Sequence, residues 1–319
     1  MKKTAFTSLA LAAIVALTGG SALAQDTKVV IGMSGWTGFA PLTLAKEAGL
    51  FKKHGLDVSI KMIPQKDRHL ALASGDIQCA ATTVETWIVW TANGIPTTQI
   101  FQLDKSYGAD GMVVKPGIAK IADLKGKTVA ASAPGTAPYF TLAWMLKKNG
   151  LSTKDVSIVN LEPQAAANAI IAGTANLDAA MTYEPYLSAV REKPEAGKII
   201  ATTLDYPMIM DTFGCTPKFL AENPKAAQAL ANAYFDAVAM IKAEPARSFE
   251  IMGAAVKQTA DKFEASQKYL RWQDKAANQK FFAGEHAAFS KEAAELLLEA
   301  GIIKQLPDMS KLATTQFIQ

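Results

Sequence analysis

The chain has 319 residues, 50% of them hydrophobic and 19% charged, with a formal net charge of +4 at pH 7. Such a composition supports a packed core and excludes a disordered chain; a near-neutral balance with no basic block argues against nucleic acid or an anionic membrane surface as partner. Two cysteines, Cys79 and Cys215, cannot build a disulfide scaffold and show no metal spacing, and the three histidines (His54, His69, His286) are scattered, so neither metal nor cofactor is expected.

The first element is a leader. Lys2 and Lys3 open a basic region, an apolar run covers residues 9–17, and Ala22-Leu23-Ala24 places small residues where a signal peptidase reads them. Cleavage after Ala24 is expected, with Gln25 as the first mature residue and the periplasm as destination. The apolar run is shorter than the roughly 20 residues that span a bilayer, and no cysteine near the cut offers a lipid anchor.

Strands and helices then alternate. Residues 28–33 read as a strand, 39–48 as a helix stopped by Gly49, and 56–62 as a second strand. Residues 67–74 form a short helix ended by Gly75, 77–81 a third strand, 84–93 a helix closed by Gly94, and 97–103 a fourth strand. This alternation predicts an α/β unit with a mostly parallel sheet. The pattern restarts with strands at 111–115 and 127–131, a helix at 138–148, a strand at 156–160, a helix at 164–172, a strand at 177–181, a helix at 185–193 and a strand at 198–203. From residue 217 onward the chain is Ala-rich, helical and without strand signal, and is expected to cover the first unit. The chain would cross out near 104–111 and back near 205–214.

Several stretches resemble one known family. They are Trp36-Thr37-Gly38, Pro41-Leu42, Ala45-Lys46-Glu47-Ala48-Gly49-Leu50-Phe51, Gly55-Leu56-Asp57-Val58, Ala71-Leu72-Ala73-Ser74-Gly75-Asp76-Ile77, Leu124-Lys125-Gly126-Lys127-Thr128-Val129-Ala130 and Tyr183-Glu184-Pro185. Together they resemble a periplasmic solute-binding protein of an ABC importer, of the nitrate/sulfonate/taurine-type branch. One departure is Gln78 after Gly75-Asp76-Ile77, where the family often has Asp. The cysteine run of the related fungal pyrimidine synthases is absent, so that chemistry is not implied. The resemblance implies the two-lobe, type II periplasmic binding protein fold: two mostly parallel sheets joined by a double-crossover hinge, with the helical C-terminal region on lobe 1. The expected division is 1–24 leader, 25–108 lobe 1, 109–205 lobe 2, and 206–319 return hinge and remainder of lobe 1. It also implies a monomer that binds a small molecule in the interlobe cleft and passes it to an inner-membrane permease with its ATPase.

Ligands of open α/β sheets sit beyond the carboxyl ends of the strands, so the candidate contacts are strand-end residues. After the first strand come Trp36, able to stack on a planar or cationic group or else to fill the core, and Thr37. Gln65 follows the second strand. Thr83 and Glu85 follow the third, where Thr82 and Glu85 also read as a capping box. Asp104, at the first crossover, is a ligand contact or a hinge-turn residue. Ser132, Gly135 and Thr136 form a turn before a helix whose free amides could cradle a carbonyl or anion. Gln164 repeats that geometry, as do Tyr183 and Glu184, with Pro185 at the first helical turn; Glu184 is a cation ligand or favourable charge at a helix start. Asp211 marks the return crossover.

Four acids recur at these positions (Glu85, Asp104, Glu184, Asp211), and no arginine and only Lys105 is expected near them. Buried carboxylates oppose an anionic solute, so a small nitrogenous cation or amide (guanidine, amine, urea-like) is expected over sulfonate, taurine or nitrate. No Gly-x-Ser-x-Gly, His-Glu-x-x-His or phosphate loop points to an enzyme; a solute sensor without transport is the other alternative. Finally, the third strand carries Cys79 and the returning segment Cys215. Two-lobe topology sets these segments side by side and antiparallel, with Cα atoms within about 7 Å; a bridge and two buried thiols both remain open.

Overall fold

The computed structural model describes residues 26–319, so the expected leader lies outside the described residues. Within them, β1 (Thr27–Met33) is followed by α1 (Ala40–Glu47) and α2 (Leu50–Lys53), which are parted at Gly49. Gly49 adopts a left-handed φ of 72° that favours glycine. Next come β2 (Leu56–Met62), α3 (Gln65–Ser74), β3 (Cys79–Thr83), α4 (Val84–Ala92) and β4 (Thr98–Ser106). β1 pairs in parallel with both β2 and β3.

The chain then enters a second sheet. Its elements are β5 (Asp110–Val114), β6 (Thr128–Ala131), α5 (Ala137–Lys148), β7 (Ser157–Asn160), α6 (Pro163–Ile171), β8 (Ala179–Tyr183), α7 (Tyr186–Arg191) and β9 (Lys198–Thr202). The strand order is β7-β6-β8-β5-β9, with β6 parallel to β7 and β8, and β5 antiparallel to β8 and β9. The chain returns as β10 (Met210–Cys215), which runs antiparallel between β3 and β4 of the first sheet. Both sheets are therefore mixed, which corrects the mostly parallel expectation. Parallel neighbours need a long crossover; a strand leaving one sheet and a strand coming back to it run in opposite directions.

Helices α8 (Pro217–Glu222), α9 (Pro224–Ala243), α10 (Pro245–Ala255) and α11 (Ala260–Gln267) follow. α9 buries Ala227, Leu230, Ala231, Tyr234, Ala237, Val238 and Ile241, one helical stripe, and α9 and α10 pack on α1. Then β11 (Leu270–Trp272) pairs antiparallel with β4 at the sheet edge, completing the order β11-β4-β10-β3-β1-β2. This strand corrects the strand-free reading of the tail; three residues are too few to show a period. After α12 (Lys275–Lys280) and a π-turn, α13 (His286–Glu299) packs against both α4 and α5. Its Phe289, Ala293 and Leu297 share an apolar cluster with Trp87, Met112 and Phe140, so the tail covers parts of both units and not the first alone. Among the described residues no helix is long and apolar enough to cross a membrane.

Cys215 lies directly opposite Cys79 across β10 and β3, with Cα atoms 3.9 Å apart, and the two are joined in a disulfide. The bridge, not the pair of thiols, is what the fold contains.

Candidate functional site

The carboxyl ends of β1, β3 and β8 and the crossover strands converge on a small cavity. Its open space is about 20 Å³, lined among others by Ser34, Trp36, Gln65, Arg68, Asp110 and Asp211. Thr83, Tyr183, Phe39, Ile209 and Ala137 close the rest. A larger groove of about 700 Å³ lies between α13 and the C-terminal segment, but none of the candidate residues lines it.

Trp36 is buried against the edge of the Tyr183 ring, with centroids 5.3 Å apart. Its indole Nε1 donates to both carboxylate oxygens of Asp104 at 3.3 Å. Gly38 lies over this bond: a Cβ there would collide with Asp104 Oδ2 and Trp36 Nε1, so no larger residue fits without breaking it. Asp104 in turn sits opposite Asp211 in the β4–β10 ladder, and Asp211 sits opposite Thr83. Asp211 Oδ2 and Asp110 Oδ2 are buried without a hydrogen-bond partner. Burial, then repulsion from Asp110, pushes Asp104 well above the ordinary carboxylate range, and burial, then repulsion from Asp104 and Asp110, does the same to Asp211. Burial pushes Asp110 up to about 7 and Glu85 up to about 8.

Gln65 opens α3 and reaches across the interface. Its amide nitrogen donates to Thr82 Oγ1 at 2.8 Å and Thr86 Oγ1 at 2.9 Å, and its Oε1 accepts from the backbone N–H of Ala137 at 3.1 Å. Ala137 begins α5, so the free-amide end of that helix is partly filled by the protein's own carbonyl. Thr86 Oγ1 donates to the carbonyl of Gly135 at 3.3 Å, and the Thr37 N–H to the carbonyl of Glu184 at 3.4 Å. These bonds join the first sheet's elements to the second's.

Other candidates stand elsewhere. Glu85 is fully buried, does not line the cavity, and neither of its oxygens has a partner. The capping box does not form: the residue preceding α4 is Thr83, and no side chain caps the helix. Ser132 Oγ donates to the Leu161 carbonyl and Thr136 Oγ1 to that of Ala133, so neither faces the cavity, and Gly135 makes its turn at φ 87°. Gln164 lines a separate surface groove with Gly35 and Tyr186. Glu184 is not free for a cation: it is buried, accepts from Ser188 N at 3.1 Å and pairs with Arg191. Pro185 precedes α7 and is not its first turn.

Arg68 was missed. Its side chain is 1% exposed and its guanidinium donates twice to the Ile63 carbonyl and once to that of Ala81. Burial lowers it to about 10, so it stays charged at neutral pH. This corrects the expectation that no arginine stands near the acids. The signal was available, because Arg68 lies three residues after Gln65 and so on the same helix face. Asp110 was also missed; it sits two residues beyond Gly108 at the first crossover, where turn chemistry masks a site residue.

The model of the family described as NMT1/THI5 like matches residues 36–248. A Brucella abortus protein named only as a binding protein is 24% identical over 274 residues, 84% of this chain and 83% of its own. The taurine-binding periplasmic protein of Escherichia coli is 29% identical over 174 residues, 52% of each chain. Among solved structures, the alkanesulfonate-binding protein SsuA of Xanthomonas axonopodis pv. citri superposes with a TM-score of 0.79 at 17% identity, covering 92% of this chain and 99% of that one. The periplasmic nitrate-binding protein NrtA of Synechocystis gives 0.75 at 18% identity, covering 92% and 87%. At such identities these likenesses speak for the fold, the two-lobed periplasmic binding protein fold of type II. With its model matched over two thirds of the sequence, the chain belongs to the NMT1/THI5 like family.

Proposed function

We propose that this chain is the exported solute-binding component of an ABC-type importer. It works as a monomer, holds a small polar solute between lobe 1 (25–108 and 206–319) and lobe 2 (109–205), and delivers it to an inner-membrane permease and its ATPase. No bond of the solute changes; the chain's named relatives are binding proteins, which supports this reading. The leader would be removed after Ala24 on the way to the periplasm.

The solute class is a small nitrogenous cation or amide. The observation that carries this is the crowd of carboxyl groups at the cavity: Asp110 and Asp211 in its wall, Asp104 one strand away, and Glu85 buried near Asp211. One buried arginine faces them, and its N–H groups are largely spent on main-chain carbonyls. The helix end that would suit an anion already holds Gln65. A second reading, sulfonate, taurine or nitrate, is favoured by Arg68 in the wall and by the ligands in the relatives' names.

A thermal-shift screen over amines, guanidines, urea compounds, alkanesulfonates and nitrate tests this, because a binder raises apparent stability. Stabilisation by a guanidine, amine or urea is expected. Stabilisation by sulfonate or nitrate alone would favour the second reading, and none by any small solute would count against capture itself.

A further inference from the structure

We propose that the cavity, whose 20 Å³ is room for about one water and so must widen on capture, takes its solute as a protonated nitrogen base and exchanges it for a proton held by the Asp104–Asp211 pair. This rests on the solute-capture reading above and adds a chemical condition to it: the ligand arrives charged, and capture releases a proton to solvent.

The geometry carries the inference. Asp104 and Asp211 face each other across β4 and β10, at 0% and 2% exposure. Asp104 has a donor on both oxygens, the Trp36 indole, so it is held as the hydrogen-bond acceptor of the two. Asp211 lines the cavity with Oδ2 unpartnered, and Asp110 faces it from β5 with its own Oδ2 unpartnered. Two adjacent carboxylates without a cation between them cannot both ionise in a buried site; they share a proton.

The surrounding charges leave the imbalance standing. From α4, Glu85 adds a further acid, and from α3, Arg68 brings one positive charge. From β8, Tyr183 beside Arg68 is held neutral by burial. From α9, Tyr234 lies near Asp104 and is likewise held neutral, donating to the Leu103 carbonyl. Glu184 is answered by Arg191, and Glu162 lies beyond Arg68 next to Lys66. Acids therefore outnumber cations around the cavity until a solute brings one.

The exchange balances. The carboxyl O–H of the pair gives its proton to water, and the solute's N–H⁺ donates to the carboxylate left behind. The charge of the site is the same before and after. A neutral amide cannot drive this step, because it supplies no charge to replace the proton.

The test is calorimetric titration of the whole mature protein with millimolar guanidinium, methylammonium and urea, each in buffers of different ionisation enthalpy. Expected is release of about one proton per bound cation, and affinity that rises with pH by up to about tenfold per unit until the pair is ionised. Asp211→Asn should abolish the release. If that variant does not fold, the wild-type buffer series decides. A cation that binds with no net proton change overturns the exchange but leaves solute capture intact, as does binding of urea alone. Binding of sulfonate or nitrate with no cation bound overturns both the exchange and the cationic ligand class.

Discussion

Gln65 Oε1 accepts the backbone N–H of Ala137 at 3.1 Å, so a side chain packed with the first sheet sits on the first residue of a helix packed with the second. The same carboxamide donates to Thr82 and Thr86. One residue thus links α3, the end of β3 and α4 to the N-terminus of α5, a contact that separation of the two sheets would break. Gln65→Ala removes hydrogen bonds worth about 0.5–1.5 kcal/mol each. Small-angle scattering of the variant should show a larger radius of gyration than the wild type, as open molecules gain population. An unchanged profile would mean that Gln65 takes no part in closure.

Trp36→Phe keeps the ring and deletes the donor. Asp104 then loses the indole donor shared by its two buried oxygens and keeps only the proton it shares with Asp211, a loss of about 1–3 kcal/mol. Chemical denaturation should show that loss at neutral pH and a smaller one in acid, where Asp104 carries its own proton. Equal losses at both pH values would show that the indole acts through packing alone.

The buried acids also set the pH profile of the solute-free protein. Burial raises Glu85 to about 8 and Asp110 to about 7, whereas in the unfolded chain both titrate near 4. Between those values the folded state keeps protons that the unfolded state has lost. Their contribution is therefore fully present below the unfolded values and is lost as pH rises toward 8, at about 1.4 kcal/mol per pH unit per group. Melting temperature should fall from about pH 5 to pH 8. Glu85→Gln should flatten that decline and melt higher than wild type at the alkaline end; a flat wild-type profile would refute the account of burial.

The Cys79–Cys215 bridge closes a separation of 136 residues, so by loop entropy it should stabilise by about 3–5 kcal/mol. Unreduced protein should resist alkylation at both positions even when denatured. Reduction should lower the melting temperature by several degrees, and rapid alkylation without reductant would contradict the bridge.

Much of this fold was legible in the chain order. Glycine stops at Gly49 and Gly75 and the restart of the β-α pattern after Gly111 marked two units, and side-by-side antiparallel placement of the Cys79 and Cys215 segments followed from the topology. The antiparallel share of each sheet was not legible, because periodicity reports which face is buried and not the direction of the neighbour. β11 was too short to show a period, and the reach of α13 to α5 depends on a surface that exists only after the lobes have formed.

At the site, strand-end reasoning placed Trp36, Gln65, Thr83, Tyr183 and Asp211, all of which the structure sets around one cavity. The Ser132–Thr136 turn, Gln164 and Glu184 share the strand-end position but do not line that cavity. Position along a strand says which end of the sheet a residue occupies, while its partners decide whether it is free. Arg68 shows the converse, a charge buried beneath the cavity by the helix face it shares with Gln65.

Direct titration of the mature protein with a guanidinium or amine and, separately, with an alkanesulfonate decides whether the acid-lined cavity captures a cation. One-to-one binding of the cation is expected, weakened about tenfold or more in Asp211→Asn, where a charge-assisted hydrogen bond worth roughly 1.5–3 kcal/mol is lost. No comparable affinity for the sulfonate is expected. Tight sulfonate binding that survives Asp211→Asn, with no heat from any cation, would contradict cation capture.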